Sequence, residues 1–384
     1  MFAQALIGSI GPVIVFVGGF VGLKLAPSEV LATLPVACMI VGIALFMLPT
    51  VRLLKQIGRK QGFILAVLWG IANSIFTAYS IYLANFWLFC TSILLYGFLI
   101  AAVQQFRFAA MESVDPSKAS QAVSILLLAG LLAAFLGPEI AFWGRSWFAT
   151  EFVGSFVGVA ILLVLSLGFL GFYQASDTVS NEAHEAGSPL VEIAKQPVFI
   201  AAIISATVGF SVMSFIMTAT PISMHVHNGF DLAETKWVIQ SHIIAMYLPS
   251  FITGRLIAKY GQHRVLYAGL VAFLLCIFIG FAGRHYLHYW GALILLGIGW
   301  NFMFVTATSM LPSCYEDSER FKVQGFNDMV MFSCQAAASL SAGWVIESLG
   351  WNTMLAMCVP LILLTFIIIV NWRRTQTLHP LQNS

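Results

Sequence analysis

A carboxylate, an imidazole, carboxamides and a guanidinium stand inside otherwise apolar stretches of this chain. Groups of that kind are expensive in such surroundings, so binding or proton chemistry is sought there first. Gln324, Asp328, Gln335 and Ser339 are spaced to share one face of a helix. Asp328 falls one to two turns inside its stretch, where a lone carboxylate is costly. It reads either as a substrate or proton site or as the structural partner of a nearby arginine or lysine. His242, Met246 and Ser250 share a face of another stretch. An imidazole changes charge near neutral pH, so His242 and Asp328 are the two groups suited to carry a proton. The other reading of His242 is a neutral histidine hydrogen-bonded between helices. His225 and His227, just beyond a neighbouring stretch, fit an interfacial position.

Trp300 and Asn301 lie near the middle of their stretch. An amide there offers a donor and an acceptor, and an indole offers a stacking face, so both are expected to touch a bound solute. Met213, Met217, Pro221 and Met224 form a stripe at helical spacing, an adaptable apolar wall of which Met217 is the candidate contact. Gln104, Gln105 and Arg107 gather near the end of a further stretch, followed by Glu112. Arg107 could clamp an anionic group or join Glu112 in a gate.

Other chemistries lack their residues. The six cysteines have no CxxC spacing and sit in or at the ends of apolar runs, as small packing residues do. There is no HExxH, GxSxG or phosphate-binding loop. The chain therefore reads as something other than an enzyme, with no cofactor, no metal and no ATP site.

The elements that must position these residues are membrane helices. Of the residues, 60% are hydrophobic and only 9% charged. A crossing needs roughly 20 apolar residues, and such runs recur near 3–23, 31–50, 62–84, 86–108, 120–142, 152–173, 198–223, 237–257, 264–283, 289–311, 323–346 and 352–371. These twelve spans define an all-α integral membrane protein. Met1–Leu23 lacks the basic start and small-residue cleavage pattern of a signal peptide, so it counts as the first span.

Placing both termini in the cytoplasm leaves only Lys24, Arg145, Lys236 and Arg284 of the 18 lysines and arginines on the other side. The net charge of +2 thus reports topology and not nucleic-acid binding. The longest polar interruption, Gln174–Gln196, divides the chain into an N-terminal six-helix half (1–173), a cytoplasmic linker (174–197) and a C-terminal six-helix half (198–384). Glu139, near the outer end of span five, is expected to pair with Arg145.

Across the linker there is an internal repeat. Leu48-Pro49, Arg52-Leu53-Leu54 and Gly58-Arg59-Lys60 follow span two; Leu248-Pro249, Arg255-Leu256-Ile257 and Gly261 with Arg264 follow span eight. On these loops the chain resembles the major facilitator superfamily, whose signature there is GxLaDRxGRR. The second copy keeps Gly254, Leu256 and Gly261, with Lys259 for the first arginine but Ala258 for the aspartate. The first keeps Leu53, Gly58, Arg59 and Lys60 but has Val51 for the glycine and Lys55 for the aspartate. Gly130 and Gly137-Pro138 in span five resemble the Gly-Pro motif of antiporter-type members, without its full glycine spacing, and imply a kink and close helix contact. Arg107 to Ala110, Met217 to Met224, His242 to Gly254, Gly299 to Phe302 and Gln324 to Asp328 resemble one bacterial subgroup of these permeases.

The resemblance implies two six-helix bundles working by alternating access. Spans one, four, seven and ten would line a central cavity and gather Gln104, Gln105, Arg107, Met217, His242, Trp300 and Asn301, with Asp328 nearby. Arg52, Lys55 and Arg59, with Arg255, Lys259 and Arg264 in the second copy, would form a cytoplasmic gate against Glu112. The expected function is secondary transport of a small polar organic solute, with vitamin-like or siderophore-like uptake preferred. The expected setting is the bacterial inner membrane, with lipid around a functional monomer and the proton as coupling ion. Two other readings stand beside it, drug or metabolite efflux and a non-transporting receptor or assembly factor on the same fold. On the transport reading, Asn301→Ala is expected to weaken transport and leave folding nearly intact.

Overall fold

The computed structural model describes residues 1–28, 31–106, 109, 119–173, 189–316 and 319–378. Lipid offers no partner for a backbone N–H or C=O, so each apolar run closes its own hydrogen bonds as a helix. Span one is Phe2–Gly8 and Ile10–Leu25, interrupted at Ser9; spans two to six are Leu34–Ile57, Arg59–Tyr82, Phe86–Gln104, Ala119–Gly144 and Val153–Gly171. A short helix at Leu190–Ile193 precedes span seven, Pro197–Ile222, which ends in a π turn at Ser223–His227. Span eight is Leu232–Tyr247 and Ser250–Tyr260; spans nine to twelve are Gln262–Ala282, Tyr286–Met310, Arg320–Ser348 and Gly350–Leu378. Ten of these have the length and composition to cross a bilayer unaided. The others are span five, whose apolar part is Ala129–Gly144, and span eight, divided at Leu248-Pro249.

Several ends differ from the apolar pattern for local reasons. Span eight starts five residues before its expected 237, because Asp231 and Glu234 form a reciprocal capping box, Glu234 N–H donating to Asp231 Oδ1 at 2.7 Å. Span two runs past 50 to Ile57 with Pro49 inside it. Most of the expected linker, 174–188, lies outside the described residues.

The helices pack as two related six-helix bundles. Span two lies on four, three on six and one on five; in the same way eight lies on ten, nine on twelve and seven on eleven. The bundles meet where two packs on eleven, eight on five and one on seven. The repeat extends to the backbone. Gly58 (φ 84°, ψ 155°) and Gly261 (φ 83°, ψ 155°) turn spans two into three and eight into nine with one conformation, in a region that favours glycine.

Within a bundle the backbones approach closely. A Cβ on Gly97 would overlap the Gly42 backbone, and one on Gly297 would stand 2.6 Å from His242 O. Small residues at such crossings let dispersion act over long stretches of helix. Between bundles, on the side away from the termini, Lys236 Nζ meets Glu139 Oε1 at 2.8 Å, and the Phe20 and His225 rings pack edge to face at 5.2 Å.

Gly97→Val should disrupt the crossing of spans two and four. The expected loss is at least the roughly 1–3 kcal/mol of an overpacked core, seen as a lower thermal midpoint and aggregation in detergent. An unchanged midpoint would show that the two helices can separate without cost.

Candidate functional site

A cavity of about 380 Å³ lies between the two bundles, within the roughly 300–1,000 Å³ of small-molecule sites. Its two walls differ in chemistry. The N-terminal wall is mainly aliphatic, with Ile7, Val15, Val36, Ile40, Ile43 and Ile100, and carries the amides of Gln4 and Gln104. The C-terminal wall is aromatic and polar. Phe210, Tyr247, Trp300, Phe304 and Phe332 line it beside Ser214, Thr218, Ser250, Asn301 and Gln335. Gln104, Leu126 and Thr308 lie at its rim on the side of the termini, where they are half-buried or exposed, while Val36 and Met217 close its depth and are buried. A second cavity, of about 330 Å³, lies beneath the chain start inside the first bundle and is lined chiefly by Phe2, Phe63, Phe106, Phe169 and Tyr173. Its near-uniform apolar lining offers little to orient a solute.

The aromatic wall is one connected cluster. Trp300 and Phe304, a turn apart on span ten, stack with centroids 5.1 Å apart. Phe210 of span seven meets both edge to face at 5.1 and 5.0 Å and reaches Phe332 of span eleven at 5.8 Å; Tyr247 meets Trp300 at 6.1 Å. Four spans thus hold a rigid surface suited to a flat ring.

Beside it, the polar stripe of span eleven divides. Gln335 Nε2 donates to Ser214 Oγ at 3.1 Å, and Ser339 and Thr218 share a hydrogen bond of 3.1 Å, so both face span seven. Gln324 Nε2 instead donates to Tyr315 OH at 2.7 Å. Asp328 is buried, accepts from Asn327 Nδ2 at 3.2 Å, and sits a turn nearer the terminal side than Met331 and Phe332, outside the lining.

Asn301 borders the cavity, but its amide is already committed. Pro249 breaks span eight and frees carbonyls in the preceding turn. Asn301 Nδ2 donates to one of them, Met246 O, at 2.7 Å and to Ser250 Oγ at 2.6 Å, while Thr253 Oγ1 donates to Asn301 Oδ1 at 2.7 Å. Asn301 therefore fastens both segments of span eight to span ten. This changes the expectation for Asn301→Ala, since the amide is a structural clamp.

His242 is drawn out of the cavity by the Gly297 crossing. Its Nδ1–H donates to Leu293 O at 2.8 Å, its Nε2 is buried without a partner among the described residues, and the next residue, Ile243, takes the lining position. Gln105 is buried at the end of span four, also away from the lining. Gln104, Met217 and Trp300 do face the cavity. Arg107 and Glu112 lie outside the described residues, as does the Lys55 side chain. Arg52, Arg255, Lys259 and Arg264 are exposed and Arg59 half-buried. Glu139 does not pair with Arg145 as expected. It bridges to Lys236 of span eight and accepts from Trp143 Nε1 at 2.8 Å, while Arg145 and Lys24 both turn to Glu151.

Gln4, Phe210, Ser214, Tyr247, Phe304 and Phe332 escaped the sequence reading. The signal for three of them is present: Phe304 follows Trp300, and Ser214 follows Phe210, at one helical turn.

The family model for the Major Facilitator Superfamily matches residues 202–383. The chain is 38% identical over 368 residues to the riboflavin transporter RfnT of Brucella anthropi, covering 95% of this chain and 92% of that protein. It is 29% identical to the uncharacterized MFS-type transporter YddS of Bacillus subtilis, covering 94% and 87%. In structure it is similar to the human organic anion transporter MFSD10, with a TM-score of 0.73 at 16% identity over 96% of this chain and 97% of that one.

Asn301→Ala takes their partner from Met246 O and Ser250 Oγ and leaves Thr253 Oγ1 with Pro249 O alone. It should lower stability by about 1–3 kcal/mol, read as a lower thermal midpoint in detergent alongside reduced transport. Full stability with lost transport would return the amide to the solute.

Proposed function

We propose that this chain, which belongs to the major facilitator superfamily and is a secondary transporter, takes up a flavin, riboflavin or a near relative of it. One observation carries the reading: 38% identity to a riboflavin transporter along almost the whole chain. The cavity supports it. A flavin is a flat heteroaromatic ring with a polyhydroxylated chain, and the site offers an aromatic cluster for the ring. Among the described residues the polar groups of the lining, Gln4, Gln104, Ser214, Thr218, Ser250, Asn301, Thr308 and Gln335, are uncharged, as riboflavin is near neutral pH.

The mechanism we infer is alternating access. Midplane sites between two repeats are exposed by rocking one bundle against the other. The conformation here is then closed where Glu139 meets Lys236. It opens toward the side of the termini, which we take, on the lysine and arginine bias, as the cytoplasmic side of a bacterial inner membrane. In the opposite conformation the exposed Arg52, Arg255, Lys259 and Arg264 would approach carboxylates around the cytoplasmic mouth.

For the driving ion we favour the proton. Asp328, buried one turn below the cavity lining, is better placed to carry it than His242, whose imidazole is held to Leu293 O. The position of Asp328 there lies on the path to the mouth that opens and closes.

Two measurements test these readings. Cells unable to make riboflavin should grow on low external riboflavin when they express this chain, and should accumulate labelled riboflavin that unlabelled riboflavin displaces. Expression at the membrane with no gain in uptake would remove the flavin assignment. Asp328→Asn should abolish accumulation against a gradient while retaining exchange in preloaded vesicles. Accumulation that persists in this variant and collapses with an uncoupler would move proton carriage elsewhere.

A further inference from the structure

Two thiols meet in the N-terminal bundle, on the side away from the termini. Cys38 is the fifth residue of span two, Leu34–Ile57, and Cys90 the fifth of span four, Phe86–Gln104. Both spans run from that side toward the termini, so the two helices are parallel and begin at one level. Their register is set by the glycine crossing further in. A Cβ on Gly42 would overlap Leu94 O, and one on Gly97 would overlap the Gly42 backbone. One turn back from Gly42 and Leu94 stand Cys38 and Cys90. The same register therefore brings the two sulfurs together, and their thiols share a hydrogen bond.

The remaining cysteines are placed otherwise. Cys314 and Cys358 each donate to a carbonyl one turn back, Met310 O and Met354 O, and Cys276 is wholly buried. Cys334 is exposed on span eleven. Of the meeting pair, Cys90 is buried but Cys38 only half so. Trp87, exposed one turn before Cys90, is a residue type that favours the membrane–water interface, so the pair lies near the level that small solutes reach from outside. A disulfide needs Cα atoms about 4.4–6.8 Å apart, and helices packed backbone to backbone supply such separations.

We propose that Cys38 and Cys90 form an oxidation site, at which peroxide closes a disulfide between spans two and four. The Cys38 sulfur attacks one oxygen of hydrogen peroxide. The O–O bond breaks, the other oxygen leaves as water with the thiol proton, and a sulfenic acid remains. The Cys90 sulfur then attacks that sulfur; the S–S bond forms and a second water leaves with the Cys90 proton. Two thiols are oxidised by two electrons, and the peroxide is reduced by two. On the orientation taken above, the site faces the compartment in which disulfides persist. Val36 and Ile40, on either side of Cys38, line the cavity, so the bond fixes the depth of its aliphatic wall. It lies within one bundle and ties no part of the other, which makes it a staple and not a lock on the rocking of the bundles.

The test follows the sulfurs directly. Full-length protein in phospholipid nanodiscs is treated with hydrogen peroxide and denatured, its remaining thiols are alkylated, and its peptides are mapped without reduction. The peptides carrying Cys38 and Cys90 should be joined to each other and released by dithiothreitol, while Cys276, Cys314 and Cys358 stay open to alkylation. The thermal midpoint of the oxidised protein should rise, because the link closes a long loop of the unfolded chain. In Cys90→Ser the midpoint should no longer respond to peroxide, and Cys38 should stop at a sulfenic acid that dimedone traps. Cys38 and Cys90 both alkylated after peroxide in the unaltered protein would overturn the proposal, whatever the variant does. A disulfide from either of them to another cysteine or to a second chain would overturn it as well.

Discussion

Within a bilayer a polar group must find its partner inside the protein, and the arrangement of this molecule follows from how each one does so. Most hydroxyls turn back on their own helix: Ser74 Oγ donates to Gly70 O, Thr77 Oγ1 to Asn73 O and Thr220 Oγ1 to Ile216 O. Others join helices within a bundle, as Tyr96 OH does to Ser74 Oγ and Asn73 Nδ2 to Ser92 O. Once these are set aside, the polar groups of the cavity's aromatic wall are held by neighbouring helices, Asn301 by span eight and Ser214 and Thr218 by span eleven. The same accounting that holds the fold together thus fixes the shape of the wall that faces the cavity.

The balance of contacts also fits a machine of two parts. Inside each bundle, glycines at 42, 97 and 297 bring backbones together so closely that added side chains would collide, and such crossings resist deformation. Between bundles the contacts away from the termini are side-chain contacts that can be exchanged: the Lys236 to Glu139 pair, partly open to its surroundings, and the Phe20 to His225 ring contact. Rigid bodies with replaceable contacts are what rigid-body switching between two states requires. The interruptions at Ser9 and Leu248-Pro249 lie in spans one and eight, both of which line the cavity. The second is pinned by Asn301, so its bend is a fixed feature of the wall.

The spans and their order were legible because apolar length is set by bilayer thickness and any miscount reverses the charge bias of every later loop. Gly58 and Gly261 were legible as a repeat because one backbone conformation demands one residue type. Side-chain partners were less so. Periodicity shows that Gln335 and Ser339 share a face with Asp328, but not that span seven covers part of that face and leaves Asp328 beyond the lining. Lys236 looks like a loop residue until span eight is seen to start at Leu232, which buries its ammonium against Glu139. His242 and Asn301 were found as polar residues in apolar runs, yet a glycine crossing and a proline break, both tertiary in effect, turned them toward the protein. The aromatic wall was missed because phenylalanine is the ordinary filling of a membrane helix, and only convergence of four spans distinguishes Phe210, Phe304 and Phe332 from the rest.

The central claim is that the cavity between the bundles is the flavin site. A density map of the protein saturated with riboflavin tests it most directly. The account predicts a flat density between the aliphatic and aromatic walls, lying against the cluster of Phe210, Trp300 and Phe304. Ligand density lodged outside this cavity would contradict it.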